Sequence, residues 1–318
     1  MTRIPTPARL LAALAVSATL VLSGCAGDDL DDDKSGGGGG GGDGEKVTIA
    51  SQDFDEAALV TQMYAQLLDD AGYDVETQLV GQRDIYLNQM PDNIDIASDY
   101  LSGIADLVNT QANGADAEPI SSNDTQATID AVTPLLADKG IELLDASPAN
   151  SQNAYFITED YAEQLGGATA LSDLEGESVT LAANKDCPGR ADCQAGLEDV
   201  YGITVAKFLG TGFASQQTYD SVLNGESDLG QTGTLDVTLE DRGLLLLEDD
   251  KGIQPAQNFI PAVGSDFIAD HEDVADMLNE LMAALDNEKL GELLVRVTVD
   301  RESIEDVAGD FLQEEGLV

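Results

Sequence analysis

The chain has 318 residues, and its 61 Asp plus Glu outnumber its 14 Lys plus Arg, for a formal net charge of -47. So acidic a surface repels nucleic acid and anionic headgroups and excludes nucleic-acid binding. A single histidine, His271, argues against a His-based metal centre or a Ser-His-Asp hydrolase, while 42% hydrophobic residues are enough for a substantial core.

In chain order, Arg3 and Arg9 precede an apolar run from Leu10 to Leu22 that is short for a membrane span and is followed by small residues. This predicts a secretory signal segment over 1–24. Leu22-Ser23-Gly24-Cys25 matches the bacterial lipobox, so Cys25 is expected to be acylated, to become the mature N-terminus and to hold the protein outside the cytoplasm. Residues 25–45 then read as a tether of aspartates and a Gly36–Gly42 run, extended by like charge and kept flexible by glycine. That run lacks the Lys-Ser/Thr pair of a phosphate-binding loop.

From Lys46 the pattern becomes α/β. Val47–Ala50 reads as a strand, Asp55–Ala71 as a helix closed by Gly72, Val75–Val80 as a strand, Ile85–Met90 as a short helix and Ile94–Ala97 as a strand. A second unit begins near Ala154, with strands at Val179–Ala182, Thr204–Phe208 and from Asp228, and helices ending at Tyr201 and over Gln216–Leu223. Met90–Ile96 and Leu223–Leu229 echo each other, each putting a short polar turn between a helix and a strand with aspartate at equivalent places. The alternation predicts two similarly wound α/β lobes with mainly parallel sheets. The last stretch, Asp270–Val318, is helical and is expected to return to the first lobe. Lobe 1 is then 46–149 plus 257–318, lobe 2 is 150–256, and two crossings near Ser147–Asn153 and Gln254–Pro261 form a hinge.

Acids recur in pairs throughout, such as Asp69-Asp70 and Asp249-Asp250, as expected of a solvated surface, and we read them as salt adaptation. Cys187 and Cys193 enclose Pro188-Gly189-Arg190; outside the cytoplasm they should form a local disulfide, with a redox or metal role as the alternative.

Several segments resemble the osmoprotectant (glycine betaine, carnitine, choline) substrate-binding proteins of ABC transporters. They are Val47 through Glu56, Met63–Leu68 with Ala71-Gly72-Tyr73, Asp95–Tyr100, Cys187–Cys193 with Tyr201-Gly202, and Leu247–Gly252 with Gln254-Pro255-Ala256 and Asn258. The resemblance implies a type II periplasmic-binding-protein fold, a non-enzymatic solute binder without cofactor or metal, an ABC permease as partner and a monomeric state.

A quaternary ammonium has no N–H, so it is held on aromatic faces by cation–π attraction. The chain has no tryptophan. Tyr100, Tyr155 and Tyr219 match the family's ligand tyrosines, whereas Tyr64, Tyr73 and Tyr201 fall in core patterns. Asp99 is expected to add charge or orient Tyr100, and Gln52 and Arg83 to meet a ligand carboxylate. Two features depart from the family: Gln231 stands where many members carry an aromatic residue, and Arg83 and Tyr86 occupy a loop usually made of small polar residues. They leave open an amino acid or other polar zwitterion, bound through Arg83 and Gln231. A structural surface lipoprotein is a further alternative.

Overall fold

The computed structural model describes residues 44–318. The signal segment, Cys25 and nearly all of the tether lie outside the described residues. Among the described residues, no helix is long and apolar enough to cross a membrane.

The first sheet contains β1 (Lys46–Gln52), β2 (Asp74–Val80), β3 (Ile96–Tyr100), β4 (Ile141–Leu143) and β10 (Phe259–Gly264), in the order β2-β1-β3-β10-β4. The second contains β5 (Asn153–Thr158), β6 (Ser178–Ala183), β7 (Thr204–Gly210), β8 (Leu229–Gly233) and β9 (Leu244–Leu247), in the order β7-β6-β8-β5-β9. The two orders superimpose strand for strand. In each sheet the first three strands are parallel and a strand from the hinge side runs antiparallel beside them.

The alternating pattern of α1 (Asp55–Asp70) has a direct physical outcome. Its Leu59, Met63, Tyr64 and Leu67 face β1 and β3, and the terminal helices α9 (Glu272–Ala284), α10 (Asn287–Thr298) and α11 (Ile304–Glu314) close the same core. Between β10 and α9 lies the short α8 (Ser265–Asp270). The opposite face of the sheet is covered by α3 (Leu101–Asn113) and α4 (Thr125–Ala137), through Leu101, Ile104, Val108, Val132 and Leu136. These two helices and β4 have no counterpart among the expected elements. Pro134 inside α4 and the three-residue length of β4 blur their signals.

In the second sheet Tyr155 and Ile157 face one layer, with α5 (Glu159–Gln164) and α6 (Gln194–Asp199). Phe156 faces the other, with α7 (Gln216–Leu223). This is the period-two alternation of a strand buried on both sides.

Two boundaries differ from expectation. The short helix α2 spans Arg83–Leu87, earlier than expected. Strand β3 starts at Ile96, because the Asp95 carboxylate is spent on the Thr48 amide (2.8 Å) while the Asp95 amide donates to the Thr48 carbonyl (3.0 Å). It then runs on through polar Ser98 and Asp99 to Tyr100 because β10, distant in sequence, pairs with it along its whole length.

The chain passes from sheet to sheet twice, after β4 and after β9. The two crossings pair with each other: Ser147 donates to the Phe259 carbonyl (2.8 Å), Ser151 to that of Gln257 (3.0 Å), and Asn150 bridges Asn258. Such a two-stranded connection lets the lobes rotate with few dihedral changes.

Candidate functional site

Open α/β sheets place their sites beyond the carboxyl ends of the parallel strands. In the first sheet those ends are Gln52, Val80 and Tyr100. Four of the residues singled out in the sequence meet here. Arg83, at the start of α2, donates from Nε to both oxygens of Asp99 (2.8 and 2.7 Å) and from Nη2 to Oε1 of Gln52 (2.9 Å). Asp99 also accepts from the Tyr86 hydroxyl and from the Tyr100 amide (2.7 Å). Its side chain is 1% exposed, against 20% for Arg83. Burial works against the Arg83 charge, but the charge and hydrogen bonds of Asp99 outweigh it and its pKa moves upward, so the guanidinium stays protonated. Gly103 lies directly beneath the guanidinium, and any side chain there would occupy the same space.

Tyr100 belongs to a row of rings. It packs on Phe259 (centroids 4.5 Å) and stacks on Phe54 (6.0 Å, interplanar 16°). Tyr100 is 6% exposed and Phe54 39%, so Phe54 is the face this row offers to solvent. The Tyr100 hydroxyl donates to Oε1 of Glu56 (2.6 Å), and the Ser151 hydroxyl, on the first crossing, donates to the same oxygen (2.8 Å). Burial first, then the Glu56 charge and hydrogen bond, hold the phenol well above its ordinary pKa.

On the second lobe, Tyr155 and Gln231 are cross-strand partners on one face, beside the disulfide between Cys187 and Cys193. The Tyr155 hydroxyl donates to the Asp192 carbonyl (3.2 Å). Oε1 of Gln231 accepts from the Asn184 amide (3.0 Å) and Nε2 points at Cys193 Sγ (3.6 Å). Each is 1% exposed, so both form the floor under the 184–193 loop. Tyr219 does not join them. It lies on the opposite face of the sheet, against Phe156 (5.3 Å) and under Arg242 (4.6 Å to the ring centroid), with its hydroxyl on Asp236 (2.6 Å). The three expected tyrosines therefore do not assemble one box, because neighbouring residues of β5 point to opposite faces.

An aromatic ring that the second lobe does expose is Phe213, 45% accessible, in the turn that follows β7. It lies against Gly233 at the end of β8 and lines a cavity of about 240 Å³ with Ser151, Gln152, Arg190, Asp192 and Gln257. Arg190 is neutralised there by Asp192 (2.5 and 2.9 Å) and Asp186 (2.9 Å). Gln152, Asn153 and Gln254 separate this cavity from a larger one of about 470 Å³ on the β9 side, which Glu248, Asp249 and Asp250 also line. Neither Phe54 nor Phe213 was singled out in the sequence. Their shared position, just past a strand end, is the signal that marks them.

A family model described as the substrate binding domain of ABC-type glycine betaine transport system matches residues 45–314. A glycine-betaine-binding protein of Pseudomonas aeruginosa is 26% identical over 286 residues, covering 86% of this chain and 89% of the relative. The glycine betaine-binding protein YehZ of Escherichia coli is 29% identical over 189 residues, 54% of this chain and 60% of that protein. The solved structure of apo YehZ superimposes with a TM-score of 0.71 at 22% identity, covering 86% of this chain and 99% of that one. A glycine betaine/carnitine/choline ABC transporter structure also gives 0.71, at 18% identity, covering 85% and 99%.

Proposed function

Because the chain belongs to the family of substrate-binding domains of ABC-type glycine betaine transport systems, we propose that it captures a glycine betaine-like quaternary ammonium solute between its lobes. Binding is non-enzymatic, and the family works outside the cytoplasm in solute import. The observation that carries the ligand assignment is the pair of exposed rings beyond parallel strands: Phe213 on the second lobe, which shares a cavity with Ser151, and Phe54 on the first, which stacks on Tyr100, whose hydroxyl meets that of Ser151 on Glu56. A methylated ammonium seated between two such rings is stabilised by cation–π attraction, about 0.5 to 2 kcal/mol per ring.

Arg83 supports the other end of the ligand. Its Nε and Nη2 are engaged, but Nη1 makes no hydrogen bond among the described residues, which leaves a donor for a carboxylate. Tyr100 backs Phe54, while Tyr155 and Gln231 hold the loop over the second-lobe floor. Attachment to the membrane through an acylated Cys25, delivery to a permease as a monomer, and division of lobe 1 as 46–149 plus 257–318 and lobe 2 as 150–256 complete the proposal.

The test is calorimetric titration with glycine betaine, choline, carnitine and polar amino acids. Saturable heat with a methylated ammonium is expected, and Phe213→Ala should weaken it about tenfold, as for loss of one ring wall. Saturation by an amino acid alone, with Phe213→Ala neutral, would reverse the assignment in favour of a polar zwitterion. For the anchor, mass spectrometry of the mature protein should find a lipid-modified Cys25 as its first residue.

A further inference from the structure

The charges around the first-lobe site do not balance. Arg83 is neutralised by Asp99, and on the second lobe Arg190 is neutralised by Asp192 and Asp186. Glu56, bonded to Tyr100 next to Asp99, has no basic partner among the described residues. What its Oε1 receives instead is two hydroxyl hydrogens, one from Tyr100 on the ring row (2.6 Å) and one from Ser151 on the hinge (2.8 Å). Neutral donors stabilise a carboxylate without cancelling its charge. Glu56 is therefore a half-buried, uncompensated negative charge next to the Phe54–Tyr100 wall, where Asp53 and Asp55, also without a basic partner among the described residues, are exposed to solvent. It also sits in the first turn of α1, a position that favours an acid whether or not a ligand is present.

Two physical effects follow from this placement. A phenol donating a strong hydrogen bond to a carboxylate becomes richer in electrons, which strengthens the attraction of its ring, and of the ring row it completes, for a cation. The carboxylate itself, half-buried and so only partly screened by water, attracts a cationic head. A head of the same shape without the charge gains neither.

Resting on the quaternary ammonium reading above, we infer that Glu56 is a specificity-determining residue: it makes the cleft choose a cationic trimethyl head over a neutral one of the same shape, while the same oxygen fastens the Tyr100 ring to the hinge strand at Ser151. The shared oxygen also means that a ligand which draws Tyr100 inward pulls on the first crossing, so occupancy of the ring wall and rotation of the hinge are joined at one atom.

The experiment titrates the full chain with glycine betaine and with 3,3-dimethylbutanoate, in which a tert-butyl group replaces the trimethylammonium. Wild type should prefer betaine. Glu56→Gln, which keeps an acceptor and loses the charge, should weaken betaine about tenfold while leaving dimethylbutanoate unchanged or tighter, a loss of discrimination that a packing role does not produce. Ser151→Ala keeps both the charge and the Tyr100 bond to it, so it should weaken both ligands alike and preserve the preference, whereas Tyr100→Phe removes the electron donation to the ring and should narrow the preference without abolishing it; the two supply the comparison should Glu56→Gln fold poorly. Wild-type preference that survives in Glu56→Gln, equal weakening of both ligands by that variant, or loss of preference in Ser151→Ala would overturn the inference alone. A wild type that does not distinguish the two ligands would overturn the cation reading itself.

Discussion

In the first lobe the Asp95 carboxylate accepts from the Thr48 amide (2.8 Å) and the Asp95 amide donates to the Thr48 carbonyl; in the second, Asp228 does the same with Thr180 (2.7 Å). The strands involved occupy equivalent places in two sheets of the same order, and the cross-strand registers agree, with Ile49 opposite Ile96 and Leu181 opposite Leu229. Yet the two lobes secure the ends of those strands by different chemistry. The first uses a buried ion pair, Arg83 with Asp99, tied to Gln52 and Tyr86. The second uses a disulfide loop resting on Tyr155 and Gln231. A common winding thus leaves the site free to differ, because the segments that follow the strands can change while the layered packing of the sheets is kept.

The largest expected effect on stability is at the ion pair. Arg83→Ala leaves the Asp99 carboxylate buried without its partner and should cost about 3 to 5 kcal/mol in chemical denaturation. An unchanged midpoint would mean that the first lobe is not held by this charge. Next comes the second lobe's counterpart. Changing both Cys187 and Cys193 to serine opens a short loop and should cost about 2 kcal/mol by the chain-entropy relation. Hydrogen exchange should place that loss in the second lobe and leave the protection of β1 and β3 intact.

The shared feature should respond equally in the two lobes. Asp95→Ala and Asp228→Ala each remove a carboxylate bonded to a strand amide, at about 1.5 kcal/mol apiece. A difference between the two of about 1 kcal/mol or more would show that the two turns are alike in sequence only. The smallest effect is expected at Tyr219→Phe, about 1 kcal/mol at neutral pH for a lost hydrogen bond, with glycine betaine affinity unchanged. Burial first, then the Asp236 hydrogen bond, push the Tyr219 phenol up to about 12. Its neutral form is thus favoured by folding. Its contribution is fully present below pH 10, where the unfolded phenol is still protonated, and is lost as pH rises from 10 through about 12. Tyr219→Phe should therefore flatten the alkaline fall in thermal stability over that window, and an unaltered slope would place the titration elsewhere.

How much of this was legible in advance depends on how far apart in the chain the deciding residues lie. The two windings, the helices α1 and α7, the local Cys187–Cys193 disulfide and the echo between Asp95 and Asp228 rest on patterns a few residues long, and periodicity reports those directly. Gln52, Arg83, Asp99 and Tyr100 do gather at one strand edge, although Arg83 departs from the family pattern. Tyr219 was misplaced because spacing does not say which face of a distant sheet a helix will cover. Phe54 and Phe213 lie outside the tyrosine pattern that the resemblance implies, although a phenylalanine ring has the same face to offer a cation.

By itself the sequence determined the α/β class, the two similar lobes, the family and the acidic surface, since these follow from local propensity, hydrophobic period and charge count. Only the tertiary structure decided that β3 runs to Tyr100, that Glu56 is shared between a ring and the hinge, and which aromatic faces remain open. Those outcomes depend on β10 and Ser151 arriving from far along the chain, and burial is settled by what packs on a residue rather than by the residue itself.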